Sequence, residues 1–489
     1  MFVPAKLKAV HFAVRFNVIG KYLGQLLSIV ALLNLVPLAV SALHGRYDAA
    51  WRYGAIIALI LAVAAPCVRL RAQEGLQRNE ALVISALVFL MPPFLLAVPL
   101  MSYGIGYHDA VFEAISGITT TGLSVVGGVE DAPFPFHFSR AWMQWIGGLG
   151  VVVLSVAFLI EPGMAAKHLG FERGEVDDLV GGTRAHARLA LIAYATVTAV
   201  GIGVLWLSGM TPADAVLHSL AAISTGGFSN YDDSLAGLGS AASRGAVIAL
   251  CFAGALPLYL YYRARFRNWR SILADVQLQS LVLLTVLVTL VLSALLWRAG
   301  EGGIGSYFGD AALTAISAQT TAGFSALPYQ DLDNAAIGLL IAAMLIGGGL
   351  GSTAGGIKLL RLVILLRFLF RMVLRCSVSA SAYVADSVGG RRLGADELES
   401  AMAVIIGYIG VVFISFIVFL GHGQPALDSL FEVASAVGTV GLSSGLTGPD
   451  MAPALKTTLC INMLMGRVET VALIVFLFPG TWIGKRRRL

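Results

Sequence analysis

Apolar residues gather in ten long stretches, at about 22–43, 51–70, 81–103, 139–160, 186–209, 244–262, 274–297, 335–375, 401–421 and 455–483. Each meets the roughly 20 apolar residues needed to cross a bilayer. Backbone in lipid must satisfy its own hydrogen bonds, so each stretch predicts a helix. The eighth is too long for one crossing, and Gly347-Gly-Gly-Leu-Gly-Ser-Thr-Ala-Gly-Gly356 interrupts it. The expected fold class is an all-α polytopic membrane protein with about ten transmembrane helices.

Basic residues fall on alternate connections. One set carries Lys6, Lys8, Arg15 and Lys21, then Arg69, Arg71 and Arg78, then Lys167, Arg173, Arg184 and Arg188. It continues with Arg263, Arg265, Arg267 and Arg270, with Arg367, Arg371, Arg375, Arg391 and Arg392, and ends at Lys485-Arg-Arg-Arg488. The other set holds only Arg46, Arg52, Arg140, Arg244, Arg298 and Lys456. The positive-inside rule makes the first set cytoplasmic, with both termini inside, as an even number of spans requires.

Charged residues are 12% of the chain against 57% apolar, half the roughly 25% charge of a soluble domain. That excludes a soluble globular enzyme, a disordered chain and a nucleic-acid binder. Cys67, Cys251, Cys376 and Cys460 lie far apart in or beside apolar runs, without metal or disulfide spacing; they read as small buried residues. The first apolar run lacks a cleavage signature and is long enough to remain a span.

The outside-facing connections carry a repeat, Asp-x10-Thr-x-Gly-x-Ser, in four ungapped copies. These are Asp109…Thr120-Thr121-Gly122-Leu-Ser124, Asp214…Thr225-Gly226-Gly227-Phe-Ser229, Asp310…Thr321-Ala322-Gly323-Phe-Ser325 and Asp428…Thr439-Val440-Gly441-Leu-Ser443. Each lies between two spans. The chain therefore divides into two leading spans (1–78) and four span–motif–span repeats (79–165, 185–268, 272–376 and 397–489). One copy would be an ordinary glycine turn; four in the same topological place are not.

The stretch from Asp to Thr is mostly apolar and helix-compatible, and as a helix it reaches roughly 16 Å, half the hydrocarbon thickness. Asp109, Asp214, Asp310 and Asp428 are expected to N-cap these pore helices at their positive ends. Each helix then enters from outside and aims its negative end at the bilayer centre, where a cation is favoured. Beyond it, glycine lets successive carbonyls face one way. Non-helical backbone at this depth must be buried or line a watery path. Four such segments about one axis would stack carbonyl rings that replace an ion's hydration shell, as Thr-Val-Gly-Tyr-Gly loops do in potassium channels.

With Trp145-Ile-Gly-Gly-Leu-Gly150, the run from Gly347 to Lys358 and Met465-Gly-Arg467-Val-Glu469, these motifs resemble the Trk/Ktr/HKT superfamily of cation transport proteins, most closely the bacterial TrkH/TrkG potassium-uptake subunits. The two leading spans fit the Trk branch. The resemblance implies four pseudo-fourfold repeats around a pore within one subunit, homodimerisation, an inner-membrane location and a cytoplasmic regulatory ring of RCK-type nucleotide-binding subunits. It implies no bound cofactor, with potassium as the transported ion. Gly122, Gly227, Gly323 and Gly441 occupy the position where glycine accompanies potassium selectivity, whereas serine at the first accompanies sodium transport in some plant members. Gly347, Gly348, Gly349, Gly351, Ser352, Thr353, Gly355 and Gly356 would form an intramembrane gate loop, with Lys358 at its cytoplasmic edge. A flexible kink or close helix contact is the plainer reading of the glycines, and snorkelling that of the lysine.

Arg467 lies deep in the last span, where a charge is costly and faces the protein interior with a partner; Glu432 and Glu113 are the candidates. It would face the cavity below the filter or serve a structural ion pair. Trp145–Gly150 reads as a packing seam, His218 as a satisfied helix residue, and Glu172–Asp178 as a solvated loop. Lys485–Arg488 reads as an anchor to anionic lipid. Besides a potassium-selective pore, an ion-coupled potassium symporter and a less selective sodium/potassium conductor remain open. A membrane enzyme is disfavoured, since no Ser/His/Asp set, zinc cluster or GxxxxGK[ST] loop is present.

Overall fold

The structure, a computed structural model, describes residues 13–71, 76–159, 183–261, 269–299, 304–377, 387–388, 391–392 and 394–484. Lys6, Lys8, Lys167, Arg173, Arg263, Arg265, Arg267, the cluster Glu172–Asp178 and the run Lys485–Arg488 lie outside the described residues.

Two leading spans come first. Helices α1 (Phe16–Leu33) and α2 (Leu35–Leu43) form one apolar stretch divided at Asn34, and α3 (Tyr47–Val68) packs back against both. Four repeats of one plan follow. Repeat 1 comprises α4 (Arg78–Leu100), the short α5 (Tyr107–Ile118) and α6 (Phe134–Leu159). Repeat 2 comprises α7 (Thr183–Leu207), the short α8 (Pro212–Ile223) and α9 (Ala241–Ala255), which stops where Pro257 follows. A five-residue α10 (Trp269–Leu273) leads to repeat 3. There α11 (Val276–Ala299), the pore helix α12 (Ile304–Gln319) and α13 (Asn334–Leu345) precede a non-helical loop, and α14 (Leu359–Ser377) resumes the span.

A two-residue antiparallel pair, β1 (Ser387–Val388) with β2 (Arg391–Arg392), sits in the next connection. Repeat 4 has α15 (Ala395–Gly421), the pore helix α16 (Ala426–Gly438), α17 (Pro453–Arg467), α18 (Thr470–Leu477) and a terminal turn, α19 (Pro479–Trp482). The last span was expected to be one helix; it bends by 108° between α17 and α18. Among the described residues six helices are each long and apolar enough to cross a membrane.

Packing closes the four repeats into a ring. Within each repeat the pore helix lies against the first span: α4–α5, α7–α8, α11–α12 and α15–α16. It also lies against the second helix of the preceding repeat: α6–α8, α9–α12, α13–α16 and, closing the circle, α17–α5. Ala110 through Ile118, Phe431 through Gly438 and nearly all of α8 are consequently buried. The outer spans turn apolar stripes away from the protein, Leu283, Val286, Leu287 and Leu290 on α11 and Ile406, Ile409, Phe413, Ile414 and Ile417 on α15. That one-faced i, i+3/i+4 spacing is what lipid contact demands. Since lipid is as apolar as leucine, cohesion inside comes from close packing of small residues. A Cβ on Gly147, Gly254 or Gly466 would collide with the carbonyl oxygen of Ile118, Ile223 or Val437, so three second helices press directly on the ends of their own pore helices.

Candidate functional site

All four pore helices end in one way. Thr120, Thr225, Thr321 and Thr439 have φ of 54°, 52°, 55° and 49°, and their N–H groups donate to Gly117, Ala222, Ala318 and Ala436 at 2.9, 3.0, 3.2 and 3.1 Å. The next residues, Thr121, Gly226, Ala322 and Val440, donate five positions back at 2.8–2.9 Å, to Ser116, Ala221, Ser317 and Ser435. Paired bonds of this kind around a left-handed residue are a Schellman cap, usually built on glycine. A β-branched residue there is strained by about 1–3 kcal/mol. That strain, repeated four times, is conformational specificity the sequence did not reveal: glycine was expected to supply the unusual turn, and threonine supplies half of it.

The glycines supply the rest. Gly122, Gly227, Gly323 and Gly441 have φ of 93°, 80°, 72° and 101°. A Cβ on Gly122 would strike the Gly226 carbonyl oxygen, one on Gly227 that of Ala322, one on Gly323 that of Val440, and one on Gly441 that of Thr121. Each segment thus backs onto the next, and the fourth returns to the first. The four segments converge on a common centre, bringing together the twelve residues expected there. Left-handed glycine is the residue this path admits.

The four aspartates sit elsewhere than expected. Gly106, Thr211 and Pro425 are the N-cap residues of α5, α8 and α16; Asp109, Asp214 and Asp428 are third in their helices, and Asp310 lies in the second turn of α12. Thr211 Oγ1 makes the capping contact, accepting from Asp214 N at 3.2 Å. The carboxylates still lie near the positive helix ends, but they serve as ties. Asp109 accepts from Lys456 Nζ at 2.7 Å, Asp428 from Tyr329 Oη at 2.6 Å, and Asp310 lies 3.7 Å from Arg244 Nη1. In each case the partner belongs to the preceding repeat. Asp214 binds within its own repeat, to Asn230 Nδ2 at 2.9 Å.

One turn further along each pore helix is a position the motif passes over, occupied by Glu113, His218, Thr314 and Glu432. Glu113 Oε1 accepts from Ser124 Oγ and Val125 N, both at 2.8 Å, and its Oε2 accepts from Arg140 Nε at 2.9 Å. Glu432 Oε1 accepts from Ser443 Oγ at 2.5 Å and Ser444 N at 2.8 Å. His218 Nε2 lies 3.3 Å from Ser229 Oγ, while its Nδ1 contacts the Asp214 carbonyl at 2.9 Å. Glu113, His218 and Glu432 thus pin three of the four motif serines, while Ser325 Oγ donates to the Leu327 carbonyl at 2.8 Å. Gln144, which the sequence reading did not single out, accepts from Phe228 N at 3.2 Å and donates to the Gly226 carbonyl at 2.5 Å. The Arg140 guanidinium lies 3.9 Å from the Phe228 ring centroid. Aligning the four copies exposes the acid positions, one polar residue recurring four after each Asp; nothing local marks Gln144.

Directly beneath lies the loop of 346–358. Gly355 N donates to Thr321 Oγ1 at 2.7 Å, Thr353 Oγ1 donates to the Gly254 carbonyl at 2.8 Å, and the Thr225 and Thr353 hydroxyls lie 3.4 Å apart. A Cβ on Gly355 would strike Thr439 Oγ1. Ser352 and Thr353 are fully buried. Lys358 is buried and donates to the Ala354 carbonyl, so it folds onto the loop.

Arg467 meets the same loop, but not through a carboxylate. Its Nη1 donates to the Thr353 carbonyl at 2.6 Å and its Nη2 to that of Gly147 at 3.2 Å. The expected partners are engaged elsewhere, Glu113 with Arg140 and Glu432 with Ser443, Ser444 and Thr447. Around Trp145–Gly150 the contacts are those of packing: Trp145 Nε1 donates to Thr198 Oγ1 at 3.0 Å and stacks on Trp142 at 5.0 Å.

Comparison with known proteins agrees with this geometry. The model of the TrkH cation transport protein family matches residues 55–479. The Trk system potassium uptake protein TrkI of Halomonas elongata is 32% identical, covering 96% of this chain and 97% of that protein. The TrkH protein of Vibrio parahaemolyticus is 28% identical, covering 96% and 99%. The crystal structure of the potassium transporter TrkH from Vibrio parahaemolyticus superposes with a TM-score of 0.85 at 27% identity, covering 96% of this chain and all of that one. The chain is an all-helical membrane protein belonging to the TrkH family of cation transport proteins.

Proposed function

We propose that this chain is the potassium-conducting membrane subunit of a Trk-type uptake system, with Thr120–Gly122, Thr225–Gly227, Thr321–Gly323 and Thr439–Gly441 as its selectivity filter. The observation that carries the reading is the closed circuit of contacts in which each left-handed glycine rests on a carbonyl of the next repeat. Carbonyl oxygens held so closely by their neighbours can replace the hydration shell of a monovalent cation. The names of the relatives, Trk system potassium uptake proteins, favour potassium. The loop 346–358 is the gate: it hydrogen-bonds the filter threonine Thr321 and lies within 3.4 Å of Thr225, and Arg467 holds it from below.

The same reading places the chain in the inner membrane as a homodimer, both termini and the arginine-rich connections facing the cytoplasm. A ring of RCK-type nucleotide-binding subunits docks on that side and works the gate.

Rubidium uptake into liposomes containing the purified protein tests conduction. Gly441→Ser, which drives a side chain against the Thr121 carbonyl, and Thr439→Ala, which empties a filter position, should each cut potassium-over-sodium discrimination at least ~10-fold, about 1.4 kcal/mol. Unchanged selectivity in both variants overturns the filter assignment. Currents reversing at the potassium equilibrium potential under proton or sodium gradients support a pore; shifted reversal supports ion-coupled transport.

A further inference from the structure

The gate loop begins and ends at one place. Ile346 and Ile357 pair as a parallel bridge, Gly347 N donates to the Ile357 carbonyl at 2.9 Å, and Ile357 N donates to the Leu345 carbonyl at 2.9 Å. Leu359 N donates to the Gly348 carbonyl at 3.1 Å. The loop's stem and the first turn of α14 therefore form one hydrogen-bonded unit. Arg361 stands in that turn, and its Nη2 donates to both carboxylate oxygens of Glu469, at 2.8 and 2.7 Å.

Glu469 is itself unusual. It lies at the 108° bend between α17 and α18, with φ 64° and ψ 133°, a conformation that glycine adopts freely and other residues only under strain. In a straight helix residues two apart point to nearly opposite sides, so Arg467 and Glu469 could not both face the loop. The bend lets them. Arg467 holds the Thr353 carbonyl within the loop, and Glu469 holds Arg361 at its exit. The two contacts differ in reach: Arg467 is 5% exposed, whereas the Arg361 and Glu469 side chains are 17% and 40% exposed. Only the second reaches the surface of the chain.

We propose that the Arg361–Glu469 ion pair is a latch on the gate. It fixes the stem of the loop to the strained bend of the last span, and its opening lets α14 carry the loop away from the filter. Both are positioning residues. The inference rests on reading the loop as the gate, and the test separates the two.

Glu469→Gln and Arg361→Gln remove one charge each, and Arg361→Glu with Glu469→Arg restores the pair reversed. Each is placed in full-length protein carrying Ser352→Cys, a buried loop position, and Cys376→Ser to remove an exposed native thiol. Maleimide labelling of position 352 reports loop release independently of the ion conducted. Both single changes should raise labelling and rubidium uptake at least threefold, and the reversed pair should return both towards wild type. Glu469→Gly, which relieves the backbone strain while losing the pair, should label as fast as Glu469→Gln without a lower melting temperature. Wild-type labelling in the single changes or in Glu469→Gly, or a reversed pair as loose as the single changes, overturns the latch. Faster labelling with no rubidium uptake in any variant upholds the latch and overturns the conduction reading.

Discussion

Repeats 1 and 3 hold the same Thr-x-Gly turn by different means. In repeat 1 the support comes from side chains at its own level. Glu113 gathers Ser124 and Val125, Arg140 neutralises Glu113, and Ser116 Oγ accepts from Gly122 N at 3.0 Å. Beneath it α6 runs unbroken past Gly147. In repeat 3 the equivalent of Glu113 is Thr314, whose hydroxyl has no hydrogen-bond partner among the described residues, and Ser317, equivalent to Ser116, likewise has none there. Support there is borrowed. Ser325 N donates to Ser234 Oγ of repeat 2 at 3.2 Å, Thr321 Oγ1 accepts from Gly355 N, and Gln319 Nε2 donates to the Ile346 carbonyl at 2.7 Å. The repeat that lacks its own brace leans on the loop, so in repeat 3 the Thr-x-Gly turn and the loop 346–358 are mechanically one.

The largest effect should come from cutting the brace of repeat 1. Glu113 and Arg140 are 0% and 2% exposed. Breaking a buried pair from one side strands a charge and costs about 3–5 kcal/mol. Glu113→Gln should thus lower the melting temperature in detergent more than any other single change in the four braces. Adding Arg140→Gln should recover much of the loss, since removing both charges leaves neither stranded. If the single and double variants melt alike, the pair is not what holds repeat 1.

Repeat 4 sharpens the contrast, because among the described residues Glu432 has hydrogen-bond donors but no arginine partner. Four contacts reach it, from Ser443, Ser444 (twice) and Thr447. Hydrogen bonds to a charged group contribute about 1.5–3 kcal/mol, and Glu432→Gln keeps an acceptor oxygen, so it should cost about 2 kcal/mol. A loss equal to that of Glu113→Gln would mean that the donors, rather than Arg140, dominate in repeat 1 also.

Much of this was legible in the chain. The repeated Asp-x10-Thr-x-Gly-x-Ser and the apolar stretches around it announced a fourfold ring of short helices, because spacing and topology are local properties of sequence. The break at Gly347–Gly356 was legible for the same reason. What was not legible depends on which side chains meet across repeats. Arg467 looked in need of a carboxylate and found carbonyls, since a loop interrupted at membrane depth offers unpaired backbone acceptors. The aspartates looked like caps and are ties, because Gly106, Thr211 and Pro425 hold the capping positions of α5, α8 and α16 and Asp310 lies in the second turn of α12. The bend at Glu469 left no mark, its residue being neither glycine nor proline.

Thr321→Val tests the borrowed support of repeat 3. It deprives the buried Gly355 N–H of its acceptor, a loss of about 1–2 kcal/mol. Because filter and loop share that contact, the variant should raise rubidium uptake and reduce selectivity together. In repeat 1, Ser116→Ala should reduce selectivity alone, since the loop does not touch Ser116 in the described contacts. Two variants with the same profile would erase the distinction between the repeats.

The smallest effect is the most discriminating. A hydroxyl buried without a partner contributes nothing to the fold and loses its hydration on burial. Thr314 is 2% exposed, and its Oγ1 is in that condition. Valine has nearly the same shape, so Thr314→Val should change the melting temperature little or raise it, within about 0.5 kcal/mol. The matching change in repeat 1, Glu113→Val, should be severely destabilising. If Thr314→Val instead costs as much as losing a hydrogen bond, about 1 kcal/mol, repeat 3 has a brace of its own, and its dependence on the loop loses its physical basis.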